Sequence, residues 1–304
     1  MIIVMTSIII VNYQKYEDTF ACVDSILKSK TTEDYRIVVV DNASPNDSWE
    51  RLQTLNNNSK VMTIQAKENK GYCAGNNIGI KYSLENIKPD YIWILNPDTL
   101  VEKECLQKLH DFAVSKSDLG ILGCKLVYYP DTQYLQALGG GNFIVSKYGE
   151  LRPEKHLYNM QPSTSALPDV VTMDLIIGAS MYIPTSVFHK IGLMDERFFL
   201  YSDENEFCLR ALNNGLKNYA ISSAIVYHKE GYRQKEQSLL ASYYCSRNAL
   251  YLIRDLFPNY LKRNVQIYIL KTLLLFCKLK FKKVKYRIKA FKDFKANVYG
   301  KIDI

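Results

Sequence analysis

The first hundred residues alternate short, β-branched apolar runs with longer stretches of helical periodicity, and this alternation constrains the fold more than any other feature. The apolar runs cover residues 7–11, 35–40, 61–64 and 91–95. The helical patterns between them cover residues 17–28, 46–55 and 75–84. Strands that are apolar on both faces and joined by long crossovers form parallel sheets with helices on both sides. The sequence therefore predicts an α/β fold of a nucleotide-binding type.

Polar residues follow each of the four apolar runs. In chain order these are Asn12-Tyr13, Asp41-Asn42-Ala43-Ser44, the segment 69–77 and Asn96-Pro97-Asp98. Because the carboxyl ends of parallel strands meet at one edge, where ligands bind in open α/β sheets, we expect these polar side chains to lie together.

The tripeptide Asn96-Pro97-Asp98 directly follows an apolar run that ends at Leu95. One carboxylate and a neighbouring amide suffice for Mg²⁺ or Mn²⁺ when phosphate oxygens and water complete the coordination shell. A tripeptide of this composition is more often a plain turn. The metal interpretation therefore depends on what lies beside it.

Asp41 and a glycine-spaced segment are two further candidates. A carboxylate at Asp41 is suited to accept from the imide N–H of a pyrimidine base, and it is equally suited to cap a turn. Gly71, Gly75 and Gly79 match neither a dinucleotide fingerprint nor a phosphate loop. Their spacing allows either backbone approach to a ligand or tight helix packing.

An acidic cluster opens a predicted helix at 203–213. Glu206 precedes Arg210 by four residues and is expected to pair with it. Asp203 with Glu206 fits a capping box. Glu204 has no such local partner, so an apolar surrounding is expected to raise its pKa toward neutrality, as a general base requires. His228 ends another apolar run, where a histidine is more often structural than a ligand.

The motifs that the sequence lacks and its cysteine pattern bear on function and on compartment. There is no Gly-x-Ser-x-Gly segment and no paired Cys/His arrangement, so nucleophilic hydrolase chemistry has no sequence support. The seven cysteines are far apart and include no Cys-x-x-Cys, which predicts reduced thiols in a cytosolic protein. Residues 1–12 lack a basic segment and are interpreted as the first strand rather than a signal peptide.

The net charge of +8 is concentrated at the C-terminus, where thirteen Lys and Arg from Lys262 onward face two Asp residues. Residues 265–277 are apolar but too short to span a bilayer, which needs about 20 residues. Residues 278–291 alternate basic and apolar side chains, a pattern that suits a helix on an anionic membrane. The sequence favours a membrane-surface partner through 265–301 over a merely solvated helix, with nucleic acid well behind because no reading module is present.

Taken in order, these segments carry a resemblance. They are Ser-Ile-Ile-Ile-Val-Asn-Tyr at 7–13, Val-Val-Asp-Asn-Ala-Ser at 39–44, Asn-Lys-Gly-Tyr-Cys-Ala-Gly-Asn-Asn-Ile-Gly at 69–79, Asn-Pro-Asp at 96–98, residues 178–184 and 191–201, the acidic helix start, His228 and Tyr-Tyr-Cys-Ser-Arg-Asn at 243–248. The chain resembles the family 2 glycosyltransferases of GT-A fold over about residues 6–260, in their bacterial rhamnosyltransferase-like branch. The resemblance implies a mixed, mainly parallel sheet with flanking helices.

The resemblance also implies roles for individual residues. Asp41 is expected to contact the base, Asp98 and Asn96 to occupy the family's DXD metal site, and His228 to complete it. Glu204 is the expected acceptor-activating base, with Asp203 as a competing candidate because the usual Glu-Asp order is reversed here. The remaining donor-binding candidates are Asn12, Tyr13, Asn42, Asn69, Lys70, Gly75, Asn76 and Arg247.

The implied activity is inverting transfer from a nucleotide sugar, dTDP-rhamnose or a UDP-sugar, to a polysaccharide or lipid-linked acceptor. A sugar-phosphate nucleotidyltransferase and a silent membrane-binding subunit are the alternatives. We expect a catalytic domain at 1–237, with nucleotide- and acceptor-binding halves at 1–100 and 101–237, and a helical region at 238–304. The expected location is the cytoplasmic face of a membrane, and a homodimer is left open.

Overall fold

The predicted strand–helix alternation is confirmed in the computed structural model, which describes residues 4–160, 166–230 and 238–302. The first strands are β1 (Met5–Asn12), β2 (Asp34–Asp41), β3 (Val61–Gln65) and β4 (Tyr91–Leu95). The helices between them are α1 (Tyr16–Leu27), α2 (Ser48–Leu52) and α3 (Tyr72–Tyr82), with a 3₁₀ turn at Gln53–Asn57 and a π turn at Ser83–Ile87.

The middle of the chain is mixed, as the sequence predicted. Its strands are β5 (Thr99–Val101), β6 (Leu119–Tyr128), β7 (Leu135–Leu138), β8 (Gly140–Val145), β9 (Leu151–Lys155), β10 (Tyr158–Met160), β11 (Val170–Met173), β12 (Leu175–Ile176), β13 (Ser180–Pro184) and β14 (Lys217–His228). The remaining helices are α4 (Cys105–Ala113), α5 (Thr185–Ile191), α6 (Asp203–Asn213), α7 (Leu239–Leu256), α8 (Pro258–Cys277) and α9 (Phe281–Lys295).

The sheet begins with four parallel strands in the order β3-β2-β1-β4, and β13 continues it antiparallel to β4. Strand β6 follows, flanked by β7 and by the parallel β14. Strand β5 pairs with β14, and β8, β9 and β12 form a small second sheet. The predicted mixed, mainly parallel architecture with flanking helices is therefore correct.

The strand register explains why the polar residues meet. Asn12 lies opposite Asp41, which in turn lies opposite Gln65, and Ile10 lies opposite Leu95. Strands β1 to β4 therefore end together at one side of the sheet, called here the strand-end edge.

Alternation along β1 shows why its residues are apolar on both faces. Ile8 and Ile10 lie in one buried cluster with α1 and α4, whereas Ile9 lies in another that includes residues of α3, α6 and α7. Successive side chains of a strand point to opposite faces, so a sheet covered on both sides needs apolar residues throughout.

The prolines of residues 151–168 predict a long loop there from the sequence. This prediction is wrong in part, because the segment contains β9 and β10, and its residues 161–165 lie outside the described residues. Pro153 misled the prediction. It lies in β9, which pairs with β8 alone, and an edge strand tolerates the missing N–H of proline.

The C-terminal region is helical from Leu239, as predicted. Helix α9 packs against α7, and Val284, Ala290 and Phe294 are buried. Of the apolar segment 265–277, only Ile267 and Tyr268 are buried, and most of the remaining side chains are exposed. Within the described parts of the chain, no helix combines the length and the apolarity that crossing a membrane requires.

Candidate functional site

The ends of β1 and β2 are joined by side-chain hydrogen bonds. Asp41 Oδ1 accepts from Asn12 Nδ2 at 2.9 Å and from Ser44 Oγ at 2.6 Å, and its Oδ2 accepts from the Ser44 N–H at 3.0 Å. Asp41 has no exposed surface. The structure thus places Asp41 at the strand-end edge in a turn-capping role, and its contact with a base stays a prediction.

Asn42 links the end of β2 to the segment before α3. Its Nδ2 donates to Asn69 Oδ1 and to the Gly71 carbonyl, both at 3.1 Å. Gly71 has a φ of +102°, and a Cβ there would lie 2.2 Å from the Phe199 carbonyl oxygen. Only glycine permits this contact, which fixes the segment against the residues that precede α6.

Two members of the predicted donor set lie within α3. A Cβ built on Gly75 would lie 2.7 Å from Val11 Cγ1, so this glycine allows tight packing of α3 on β1. Asn76 is buried, and its Nδ2 donates to the Tyr72 carbonyl one turn earlier, whereas its Oδ1 has no hydrogen-bond partner among the described residues. Contact of either residue with a donor stays a prediction.

Tyr13 and Lys70 are the exposed members of the predicted donor set. The Tyr13 side chain lies open to solvent after β1. Lys70 pairs with Glu68 at 2.8 Å on the surface. Neither residue has a buried partner among the described contacts. Their positions are therefore compatible with a bound ligand but do not indicate one.

Asp98 and His228 face each other at the strand-end edge. Strand β5 pairs with β14 so that Thr99 lies opposite His228, which brings Asp98 Oδ1 to 3.2 Å from His228 Nε2. The turn that carries Asp98 is closed by the Thr99 hydroxyl, which donates to the Asn96 carbonyl at 2.7 Å. Asn96-Pro97-Asp98 therefore forms a turn, and this turn is compatible with the metal-site interpretation of the same residues.

The orientation of His228 is set by two residues behind it. Gln136 Nε2 donates to Glu230 Oε2 at 2.7 Å, so Gln136 Oε1 faces His228 Nδ1 at 3.0 Å. Because a carboxylate only accepts, this arrangement requires the Nδ1–H to donate to Gln136. A neutral His228 then directs the lone pair of Nε2 at Asp98, where a cation or a proton must separate two acceptors.

A divalent cation fits the Asp98–His228 pair. Two neighbouring ligands of an octahedral cation lie about 3 Å apart, close to the observed 3.2 Å. Burial alone would raise the pKa of the Asp98 carboxyl, but where a proton rather than a cation separates the two groups, the hydrogen bond and charge of His228 outweigh burial and leave that pKa lowered. The described residues contain no group of three metal-ligating side chains, so phosphate oxygens or water must complete the shell.

Helix α6 begins after a constrained turn. Tyr201 and Ser202 have φ values of 66° and 65°, a conformation unfavourable for residues other than glycine. Asn248 Nδ2 holds this turn by donating to the carbonyls of Leu200 and Tyr201 at 2.9 and 2.8 Å. The predicted capping box is absent, because Asp203 is the first helical residue and no side chain caps the helix.

The two acidic residues at the start of α6 differ in surroundings. Asp203 is buried and accepts from Cys73 Sγ at 3.8 Å, whereas Glu204 is half-buried. Burial first, and then the charge of Asp203, raise the pKa of Glu204 well above its usual value. The two carboxyl groups share a hydrogen bond, which requires a proton on one of them.

Glu204 is linked to the end of β4 through two residues. A Cβ built on Gly178 would lie 3.5 Å from both Glu204 Cβ and the Tyr72 hydroxyl, which donates to the Gly178 carbonyl at 2.8 Å. The next residue, Ala179, accepts from the Asn96 N–H at 3.0 Å. The acidic helix start and the Asn96–Asp98 turn are therefore neighbours at one site.

Arg247 lies elsewhere, and its predicted place in the donor-binding set needs correcting. The side chain has no exposed surface, and its guanidinium donates to the Gly300 carbonyl, Asn248 Oδ1 and the Tyr243 hydroxyl. Tyr243, Tyr244 and Tyr251 surround it at cation–π distances. Arg247 packs the C-terminal helices and cannot reach a ligand in this arrangement.

Sequence reasoning assigned Glu206 correctly to structure, since it pairs with Arg210 at 2.7 Å. It missed Gln136 and Glu230 behind His228, and it gave Asn248 no role. Gln136 precedes His228 by 92 positions, and nothing in its local sequence marks it. Asn248 lay inside the segment that carried the resemblance, and that was the one available signal.

Comparison with known proteins decides the family. Residues 7–166, more than half of the chain, match the model described as Glycosyl transferase family 2. The chain belongs to this family. A nucleotidyltransferase, the alternative enzyme class raised by the sequence, has no support from the match.

Named relatives point to the same branch that the sequence resembled. The chain is 29 % identical over 215 residues to the low-salt glycan biosynthesis hexosyltransferase Agl10 of Haloferax volcanii, covering 67 % of this chain and 61 % of that protein. It is 26 % identical over 226 residues to the dTDP-rhamnosyl transferase RfbF of Shigella flexneri, covering 72 % and 70 %. The chain thus spans less than two thirds of Agl10.

Solved structures support the fold alone, because their sequence identities are low. The structure of GalNAc-T7 with UDP, GalNAc and Mn²⁺ superposes with a TM-score of 0.66 at 14 % identity, covering 98 % of this chain and 57 % of that one. The mannosyltransferase PcManGT of Pyrobaculum calidifontis, solved with GDP-Man and Mn²⁺, gives a TM-score of 0.57 at 10 % identity, covering 96 % and 75 %. Both are glycosyltransferase folds.

Proposed function

We propose that this family 2 glycosyltransferase inverts the anomeric centre of a nucleotide sugar as it moves the sugar to an acceptor hydroxyl. The observation that carries the proposal is the adjacency of Glu204 to the Asn96–Asp98 turn through Gly178 and Ala179. Such a transfer needs a base for the acceptor hydroxyl and positive charge near the leaving diphosphate. The Glu204 carboxyl, with its raised pKa, supports the first role, and the neighbouring Asp98–His228 pair, as a candidate cation site, supports the second.

Glu204 is the proposed general base. It takes the proton of the acceptor hydroxyl as the oxygen attacks the anomeric carbon from the face opposite the diphosphate, so the new C–O bond forms as the old one breaks. Burial and then the charge of Asp203 raise the pKa of Glu204 well above its usual value, which strengthens it as a base. Asp98 and His228 are the proposed ligands of Mg²⁺ or Mn²⁺, which when bound offsets the charge on the leaving diphosphate.

The proposed donor is dTDP-rhamnose, with a UDP-sugar as the second candidate. Two relatives are named as a dTDP-rhamnosyl transferase and a rhamnosyltransferase, and a third as a hexosyltransferase. The proposed acceptor is a cell-surface polysaccharide or a lipid-linked saccharide. Attachment to a membrane surface through 265–301 belongs to the same proposal.

A calorimetric screen of nucleotide sugars with and without Mn²⁺ tests the proposal. We expect dTDP-rhamnose to bind in a Mn²⁺-dependent manner, and we expect Asp98→Ala to remove that dependence. Asp24→Ala, which alters an exposed carboxylate paired with Lys28 on α1, is the matched control. Equal affinity with and without the cation would contradict the assigned site.

Slow hydrolysis of the bound donor separates an enzyme from a silent subunit. We expect release of free sugar from the preferred donor over hours, because water replaces the acceptor at low efficiency. Donor binding without any release, and without transfer to extracted glycolipid, would favour the silent alternative.

A further inference from the structure

The second half of α8 and the turn into α9 expose large apolar side chains. These residues, called here the apolar corner, are Ile269, Leu270, Leu273, Leu274, Phe276, Leu279 and Phe281. Their exposed fractions range from 46 % to 72 %, which is unusual for so many large apolar residues in one segment. Scattered apolar residues on a surface need no explanation, but a continuous group indicates an interaction surface.

The spacing of the corner residues makes them one surface. Positions 269, 270, 273, 274 and 276 recur with helical period and lie along one side of α8. Tyr268, at the start of this segment, is turned inward, and its hydroxyl donates to the Arg287 carbonyl of α9 at 2.7 Å. The corner therefore faces away from the helices that hold α8 in place.

Helix α9 does not cover the corner. Its apolar residues Val284, Ala290 and Phe294 are buried, and the Phe294 ring is tilted against the Tyr251 ring of α7 at a centroid distance of 5.2 Å. The sequence suggested that the apolar side of 278–291 would face a membrane. The structure buries Val284 and Ala290 of this stretch, and leaves Leu279, Phe281 and Ile288 exposed.

The charge around the corner is mainly positive. From Lys262 to Lys292 the chain holds eleven Lys and Arg residues and no Asp or Glu. One of these cations, Lys271, pairs with Glu150 at 2.7 Å, whereas Lys278, Lys280 and Lys282 are exposed and alternate with Leu279 and Phe281. An apolar strip with an excess of cations beside it is complementary to a surface that is anionic above and apolar below.

We propose that the apolar corner inserts into the interface of an anionic lipid bilayer. A second copy of this chain is a poorer occupant, because a two-fold contact through the corner would bring two sets of eleven positive charges together. Single-stranded nucleic acid is also a poorer occupant, since the corner offers mainly aliphatic side chains rather than rings on which bases stack.

This inference deepens the proposed lipid-linked acceptor and rests on that proposal for its biological meaning. The binding itself is measured without turnover. Absence of vesicle binding would therefore not contradict the proposed sugar transfer, and absence of transfer would not contradict the proposed membrane binding.

Sedimentation of the full chain with vesicles tests the inference. We expect binding to vesicles of phosphatidylcholine mixed with phosphatidylglycerol, little binding to phosphatidylcholine alone, and weakening as salt rises. The double variant Leu273→Glu/Leu274→Glu changes two exposed positions and should lower the partition coefficient by at least about 100-fold. Val114→Glu, an exposed apolar residue after α4, is the matched control and should bind as the parent does.

A probe on the exposed Cys277 gives a second measurement. A polarity-sensitive fluorophore on this thiol should shift to the blue with anionic vesicles, because Cys277 lies within the segment that carries the corner. Equal binding of the parent and the double variant to vesicles would overturn the inference.

Two other results would replace the membrane with another occupant. A dimer in sedimentation equilibrium that the double variant abolishes, in a chain that does not bind vesicles, would favour a second copy. Salt-sensitive binding of single-stranded RNA, again without vesicle binding, would favour nucleic acid.

Discussion

Two buried acidic sites lie at opposite ends of the sheet, and they show that a raised pKa does not by itself mark catalysis. Glu204 lies at the strand-end edge. Glu33 precedes β2 at the other end, where its Oε2 accepts from the Thr6 hydroxyl at 2.8 Å and lies 3.4 Å from the Tyr182 hydroxyl. Burial is the largest cause of the raised pKa in both groups.

The two sites differ in access and in partners. The Glu33 side chain is 2 % exposed, and its Oε1 lies 3.3 Å from Nδ1 of His110. Glu33 and His110 together carry no net charge, whether both groups are neutral or both are ionised. Glu204 is half-buried and its nearest ionisable neighbour is a second carboxyl, Asp203. The first arrangement encloses the acid among protein groups, whereas the second leaves it accessible to a hydroxyl.

The variant with the largest expected effect is Glu204→Gln. It removes the proposed base without changing shape, so transfer should fall by about 10²–10⁴-fold while donor affinity stays within about twofold. Stability should hold or rise, because a charge next to Asp203 is lost. Turnover by the variant at the parent rate would remove Glu204 from this role, and a comparable loss in Asp203→Asn alone would assign the base to Asp203.

A smaller effect on the same side is expected from Gln136→Leu. It removes the acceptor that fixes the Nδ1–H of His228, and loss of such an outer partner typically weakens metal binding by about 10–100-fold. Mn²⁺ affinity measured by calorimetry checks this, with Gln53→Leu, an exposed glutamine, as control. Unchanged Mn²⁺ affinity would show that Gln136 does not orient a ligand.

The residues at the strand-end edge were largely predictable, because the ends of strands follow from local apolar runs in the sequence. Asn12, Asp41 and Asp98 each come directly after such a run, and the register brings those strand ends to one edge. Pairings over long sequence distances were not predictable. Gln136 reaches His228 because β7 and β14 both lie beside β6, a topological fact that no local pattern carries.

Arg247 failed for the opposite reason. A long cation near a predicted cleft suggested a phosphate ligand, but three tyrosines and the Gly300 carbonyl enclose it inside the C-terminal helices. Sequence alone does not tell an arginine at a ligand from one stacked in a core of aromatic rings. The His110 partner of Glu33 was overlooked likewise, because the two residues are distant in sequence and meet only in the fold.

On the Glu33 side, Glu33→Gln should change stability but not transfer. The folded-state pKa of Glu33 is raised to about 7, so the folded chain holds a proton that the unfolded chain releases from about pH 4.5 upward. Parent stability attributable to this group therefore falls as pH rises from about 4.5 to about 7. Glutamine mimics the protonated acid, so the variant should gain about 1–3 kcal/mol relative to the parent across that window.

Denaturant titrations at several pH values measure this difference. The free energy of unfolding of Glu33→Gln minus that of the parent should be flat below about pH 4.5, rise through the window and level off above about pH 7. A difference independent of pH would mean that Glu33 stays ionised and paired with a protonated His110. Either way, transfer at saturating donor should match the parent, since Glu33 lies at the end of the sheet away from Asp98.

The smallest effect is expected from Glu206→Gln, which allows two glutamates of α6 to be compared. Glu206 lies two residues beyond Glu204 yet pairs with Arg210, whose Nη2 also donates to the Leu193 carbonyl at 2.8 Å. Because both side chains are largely buried and glutamine keeps one acceptor, Glu206→Gln should cost about 1 kcal/mol of unfolding free energy. Transfer should be unchanged. A loss of transfer as large as that of Glu204→Gln, at full stability, would mean that the start of α6 acts as one acidic unit rather than through a single carboxylate.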